Sequence, residues 1–301
     1  MRLEGTGVAL VTPFRGEAVD FDVLRRLVEH VIEGGVDFIV SLGTTGEAVT
    51  QTPTECRAVI DCTLEQVNGR VPVVVGMFGG NNTAALVRRF REFDFDGLAA
   101  VMSSAPSYLR PNQQGLYEHY LRVADASPLP IIIYNVPART GVNVHPETVL
   151  RLAEANPRFV AVKEAAGSVP QVMTLAKHAP EHFSILAGDD LLTLPMIASG
   201  AVGAISVIAN AFPGPFSRMV AAAREGRLDE ARRWNHAMLE VHPLLYEEGN
   251  PAGIKAVLEQ MGLCGRAVRL PLTAASDGLV TRLRQAISAE PLLRDALTQP
   301  A

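Results

Sequence analysis

Only three of the 27 basic residues are lysines, Lys163, Lys177 and Lys255, and arginine supplies the rest of the positive charge. A lysine in an unusual setting therefore asks for a chemical reason. Lys177 lies in VMTLAKHA and Lys255 in GIKAVLEQ, helical stretches where solvation or capping accounts for the charge. Lys163 differs, because it closes the apolar run FVAV and precedes the small-residue stretch AAG. At the end of a buried strand an amine that sheds its proton can attack a ketone. Arginine has no such chemistry, since its guanidinium does not deprotonate. The plainer account of Lys163 is a salt bridge to its neighbour Glu164.

Other side chains would complete such a reaction. The glycines of Gly43-Thr44-Thr45-Gly46-Glu47 admit close backbone approach, and its hydroxyls and N–H groups suit a small carboxylate, although a plain tight turn reads the same. Tyr134 ends the run PIIIY, and Tyr108 follows the run GLAAVM. A tyrosine there either passes protons during formation and dehydration of a carbinolamine or simply packs. Arg139, in ARTG, offers a planar fork to a second carboxylate or serves as a surface cation. Cys56, Cys62 and Cys264 have no CxxC spacing and no histidine cluster nearby, so they read as core thiols rather than a disulfide or a metal site.

The elements that must position these residues are legible as a repeating pattern. VALVT (8–12), FIVSL (38–42), PVVVG (72–76), GLAAVM (97–102), PIIIY (130–134), FVAVK (159–163), FSILAG (183–188) and GAISV (203–207) are apolar, β-branched runs with amphipathic helical stretches between them. Asp22 is a candidate cap for VLRRLVEHVIEGG, Thr52-Pro53 opens a helix through Cys62, and His145-Pro146 precedes ETVLRLAEA. Strand followed by helix in this rhythm predicts an α/β fold, a (β/α)8 TIM barrel whose chemistry sits at the C-terminal ends of its strands. No GxGxxG follows the first strand, so a dinucleotide-binding sheet is not indicated. Residues 1–225 are expected to form the barrel. Residues 226–301, with LDEARRWNHAMLEVHPLLY, PAGIKAVLEQMG and SDGLVTRLRQAISA, are expected to form a C-terminal helical extension within one structural unit, with fraying expected at the very end.

Composition narrows the function classes. A chain of 301 residues, 48% hydrophobic and 20% charged, can bury a full core, and a formal charge of −5 argues against nucleic acid as a partner. No run approaches the roughly 18 apolar residues of a membrane span, and MRLEGTGVALVTPF lacks the order of a signal peptide. A cytoplasmic protein is expected.

Taken together, GTTGE (43–47), YNVPARTG (134–141), VKEAAG (162–167) and LAGDD (186–190) resemble the dihydrodipicolinate synthase family, within the pyruvate-dependent aldolase superfamily that also contains N-acetylneuraminate lyase. The likeness runs from GTGVALVTPF to the C-terminal helices. It implies that Lys163 forms a Schiff base with pyruvate and that Thr44, Tyr108 and Tyr134 relay protons. Thr45 with neighbouring amides would hold the pyruvate carboxylate, Gly188 and Ile205 would line the site, and Arg139 would receive the carboxylate of L-aspartate 4-semialdehyde. The product would be 4-hydroxy-tetrahydrodipicolinate, on the route to diaminopimelate and lysine. No metal or organic cofactor is implied, because the protonated imine is itself the electron sink.

SAPSYLRP departs from the family's PYYNRP, with Ser107 at the first tyrosine and Leu109 at the asparagine. The resemblance further implies a homotetramer, a dimer of dimers in which Tyr108 enters the partner's site. Lysine-sensitive members hold lysine through polar residues where this chain has Ala48, Val49, Pro53, Cys56 and Ser107, so weak or absent feedback is implied. Two other functions remain: an N-acetylneuraminate lyase-like aldolase or dehydratase acting on a sugar-derived 2-oxo acid, which Arg139 disfavours, and a non-catalytic carboxylate-binding barrel.

Overall fold

The computed structural model describes residues 3–297. The last residues of the C-terminal stretch, where fraying is expected, lie outside that range. Among the described residues, eight strands form one closed barrel: β1 (Gly5–Ala9), β2 (Phe38–Ser41), β3 (Val73–Val75), β4 (Ala100–Ser104), β5 (Ile131–Asn135), β6 (Phe159–Glu164), β7 (Ser184–Ala187) and β8 (Gly203–Ser206). Their pairings are parallel. Every residue of β2, β3, β5, β6 and β7 is buried. That explains the unbroken apolar runs, because these strands face packed side chains on both sides.

The expected strands are all present, with shifted ends. β1 begins at Gly5 rather than Val8. Its glycines hid the start, and they are needed because a Cβ on Gly7 would stand 2.3 Å from the Phe38 ring of β2. β2 stops at Ser41, since Leu42 turns to φ 56. Helix boundaries follow their capping chemistry. Asp20, not Asp22, caps Phe21–Glu33 by accepting from Val23 N. Thr52 and Glu55 form a reciprocal capping box on Pro53–Val67, which outlasts Cys62.

The chain clusters into two compact units. One is built on Val74–Ile205, the other on Gly5–Val73 with the described residues from Ser206 onward. In the first unit Phe78 packs against Phe90, Phe93 and Phe95 at ring-centroid distances of 4.5, 5.2 and 5.3 Å, under helix Thr83–Glu92. In the second, Asn210 donates to Ala9 O and accepts from Val11 N, tying off the end of β1. The second unit also holds the C-terminal helices Leu228–Leu239, Val241–Glu247, Ala252–Gln260 and Asp277–Ala289. LDEARRWNHAMLEVHPLLY is two helices rather than one, as Pro243 has no N–H to offer the carbonyl of Leu239.

Candidate active site

Lys163 sits on β6 in register with Tyr134 of β5, and its Nζ lies 4.5 Å from the Tyr134 ring centroid. Both side chains are almost fully buried, at 4% and 7% exposure. Gly188, just past β7, forms one wall. Its N–H donates to Glu164 O at 2.8 Å, and a Cβ there would stand 3.0 Å from Lys163 Cγ. Only glycine lets that backbone come so near the lysine stem. Ile205 is buried in β8, next to Ala204, which pairs with Ala187.

The expected alternative, a salt bridge from Lys163 to Glu164, is not formed. Successive strand residues face opposite sides of the sheet, so Glu164 turns away from Lys163. Its carboxyl accepts from Asn135 Nδ2 at 3.0 and 3.1 Å, Ala166 N at 2.7 Å and Gln171 Nε2 at 2.8 Å. Burial raises the acid above the ordinary carboxyl range, and these donors oppose the shift. Asn135 also donates to Asn143 Oδ1 at 2.8 Å and accepts from Val144 N at 2.9 Å. One polar cluster thereby fixes β5, β6 and the segment after Arg139. The sequence reading missed this group, although Asn135 and Glu164 each directly follow a candidate catalytic residue.

Tyr108 and Arg139 are carried on neighbouring loops joined by Tyr108 N donating to Thr140 O at 3.0 Å. Arg139 lies in the short helix Pro137–Thr140 and is exposed. Tyr108 has φ 67 and is 88% exposed.

Thr44 and Thr45 belong to the other compact unit. Thr44 is exposed, while Thr45 is buried and its Oγ1 accepts from Asn250 Nδ2 at 3.0 Å. The turn closes through Gly46 N to Gly43 O and Glu47 N to Thr44 O, both 3.1 Å. Gly46 O accepts from Thr12 Oγ1 and Gln51 Nε2, each at 2.7 Å. Glu47, at φ 52, is fully buried and paired with Lys255 at 2.6 Å, both side chains 0% exposed.

The solvated or capping role expected for Lys255 is thus corrected. It stands in the interior between Glu47, Ala267 O at 2.8 Å and the Phe14 ring at 4.4 Å. Burial pushes its ammonium below the ordinary lysine range, and the Glu47 carboxylate opposes this. Removing one partner of such a pair leaves a buried lone charge and typically destabilises by about 3 to 5 kcal/mol. Arg269 continues the brace, donating to Glu55 and to Thr50 O at 3.0 Å, and its N–H reaches Glu47 Oε2 at 3.1 Å. Among the described residues no group of three or more His, Cys, Asp and Glu is placed to hold a metal.

Residues 2–290 match the model of the dihydrodipicolinate synthetase family. The chain belongs to that family. A 4-hydroxy-tetrahydrodipicolinate synthase of Cytophaga hutchinsonii is 44% identical over 283 residues, covering 94% of this chain and 95% of the relative. Among solved structures, the chloride-inhibited dihydrodipicolinate synthase of Acinetobacter baumannii, complexed with pyruvate, superimposes with a TM-score of 0.91 at 37% identity, covering 95% of this chain and 98% of that one. The enzyme of Cyanidioschyzon merolae with lysine bound gives a TM-score of 0.91 at 35% identity, covering 96% and 99%. Lys163 is the buried lysine of this chain that no carboxylate occupies among the described residues.

Proposed function

We propose that this lyase-type enzyme condenses pyruvate with L-aspartate 4-semialdehyde through an imine on Lys163, giving 4-hydroxy-tetrahydrodipicolinate. One observation carries the reading. The Lys163 amine is buried at the end of a barrel strand, over the ring of Tyr134, with Gly188 against its stem and no carboxylate neutralising it. Lys163 Nζ adds to the pyruvate ketone carbon, and the carbinolamine loses water to form the imine. Loss of a methyl proton gives the enamine, whose carbon bonds to the aldehyde carbon while the aldehyde oxygen takes up a proton. The substrate's own amine then attacks the imine carbon, closing the ring and releasing Lys163.

Within this reading, Tyr134, Thr44 and Tyr108 relay the protons. Thr45 and turn amides hold the pyruvate carboxylate, Ile205 and Gly188 line the site, and Arg139 holds the semialdehyde carboxylate. The exposed Tyr108 and Leu109 support a homotetramer in which Tyr108 enters a partner's site. No described helix is long and apolar enough to cross a membrane, and the three buried cysteines form no disulfide. A cytoplasmic location is in keeping with both.

Borohydride added with pyruvate should fix one reduced pyruvyl group on the chain, and peptide mass mapping should find it on Lys163. Labelling of exposed Lys177 or of Lys255 instead, or no labelling at all, would remove the mechanism. Lys163→Arg should end the trapping and leave the fold intact.

A further inference from the structure

The C-terminal segment beyond the barrel touches the Gly43–Glu47 turn at two of its five residues. Asn250 Nδ2 donates to Thr45 Oγ1 at 3.0 Å, and Lys255 Nζ donates to Glu47 Oε1 at 2.6 Å. All four side chains are buried. A threonine hydroxyl has one proton to give and two lone pairs to receive with. With Asn250 donating into it, Thr45 is set as an acceptor on that side, and its single proton is left to be given elsewhere. Asn250 cannot take that proton through the same nitrogen. Glu47 poses the opposite difficulty, since a carboxylate two residues from a hydroxyl that must attract an anion would repel it. Lys255 neutralises that carboxylate in place, and Arg269 N holds its other oxygen at 3.1 Å. The turn itself provides neither contact.

We propose that Asn250 and Lys255 are positioning residues for the pyruvate carboxylate: Asn250 aims the Thr45 proton at the anion, and Lys255 cancels the Glu47 charge and locks the left-handed end of the turn. The proposal rests on Thr45 holding that carboxylate, as set out above. It gives the C-terminal extension a part in substrate binding rather than in bulk stability alone.

The test measures the pyruvate concentration that half-saturates borohydride trapping at Lys163, which needs no second substrate, alongside the melting temperature of each variant. Thr45→Val should raise half-saturation about tenfold, the usual effect of losing one hydrogen bond to a charged group. Asn250→Ala should raise it several-fold. The near-isosteric Asn250→Asp should raise it more, because its carboxylate draws the Thr45 proton to itself. Thr45→Val combined with Asn250→Ala should match Thr45→Val alone, since both act through one hydroxyl. The paired change Glu47→Gln with Lys255→Met leaves neither a lone buried charge nor a carboxylate to repel the anion, so it should fold, and its smaller rise in half-saturation reads the loss of the lock on the turn alone.

A role confined to stability would lower melting temperatures and leave half-saturation within twofold of the parent in the Asn250 variants and in the Glu47/Lys255 pair, while Thr45→Val still raises it. That result, or strict additivity of the Thr45 and Asn250 changes, overturns the proposal. Unchanged half-saturation in Thr45→Val instead overturns the assignment of the carboxylate to Thr45, on which the proposal stands. These two failures are distinguished by the Thr45 arm alone.

Discussion

At the scale of single residues, an unusual placement was legible where it left an anomaly in composition. A chain that uses arginine almost everywhere placed a lysine at the end of FVAV, and that lysine is buried beside Tyr134. Lys255 carried the same anomaly and was misread, because a helix tells nothing about which carboxylate it will meet 208 residues away in the chain. Glu164 was likewise weighed only against its sequence neighbour, whereas strand geometry sends the two to opposite faces. Arg139 yields the sharpest test of specificity. It is exposed, and on the proposed reading it holds the semialdehyde carboxylate, so Arg139→Ala should raise the semialdehyde KM about 10- to 150-fold, corresponding to about 1.5 to 3 kcal/mol for a charge-assisted contact. Pyruvate trapping should stay near the parent level. Steady-state kinetics with the semialdehyde varied provide the check, and an unmoved KM would place the second carboxylate on another group. A preference for a sugar-derived 2-oxo acid in the parent enzyme would have the same meaning.

At the scale of elements, strands were readable from continuous apolar runs, while their ends were decided by contacts with no local signature. Gly7 belongs to a strand because it must admit the Phe38 ring, and Asp20 is the cap because its side chain reaches Val23 N. Helix packing also sets a pH dependence. His119, on helix Gln113–Ala126, is 5% exposed and bonds Thr83 Oγ1 at 2.9 Å across to helix Thr83–Glu92, while its Nε2 is buried without a partner. Burial lowers its pKa to about 4. The unfolded chain, with an ordinary histidine near 6.5, binds the proton first as pH falls. Stability from this residue is therefore full above about pH 6.5 and is lost as pH drops toward 4. Between pH 7 and 4.5 the linkage amounts to about 2 kcal/mol. Urea unfolding at these two pH values should show His119→Gln losing about that much less than the parent. An equal loss in both proteins would mean that His119 titrates normally in the fold.

At the scale of the whole molecule, the barrel was legible because a period of strand and helix repeated along the chain admits few closed arrangements. The bracing of its turns by distant residues was not, since those partners follow no period. The same scale carries the prediction on regulation. A relative from Cyanidioschyzon merolae has lysine bound. The positions that the family resemblance assigns to lysine hold Ala48, an exposed Val49, Pro53, and Cys56 with its thiol directed to Ala48 O. With two or more charge-assisted bonds missing, at about 1.5 to 3 kcal/mol each, half-inhibition by lysine should lie well above about a millimolar. Initial rates at subsaturating pyruvate and constant ionic strength would show it, and inhibition at lower lysine would mean that other groups bind it. The long reach of the braces also bears on how the protein is made. Thr45, Glu47 and Glu55 wait for Asn250, Lys255 and Arg269, contacts spanning 205, 208 and 214 positions. On the ribosome, Lys163, Tyr134 and the threonines all emerge long before the residues that hold the turn in shape. A nascent chain thus carries these side chains for some time before the turn is braced, and the bracing waits for the synthesis of Asn250, Lys255 and Arg269.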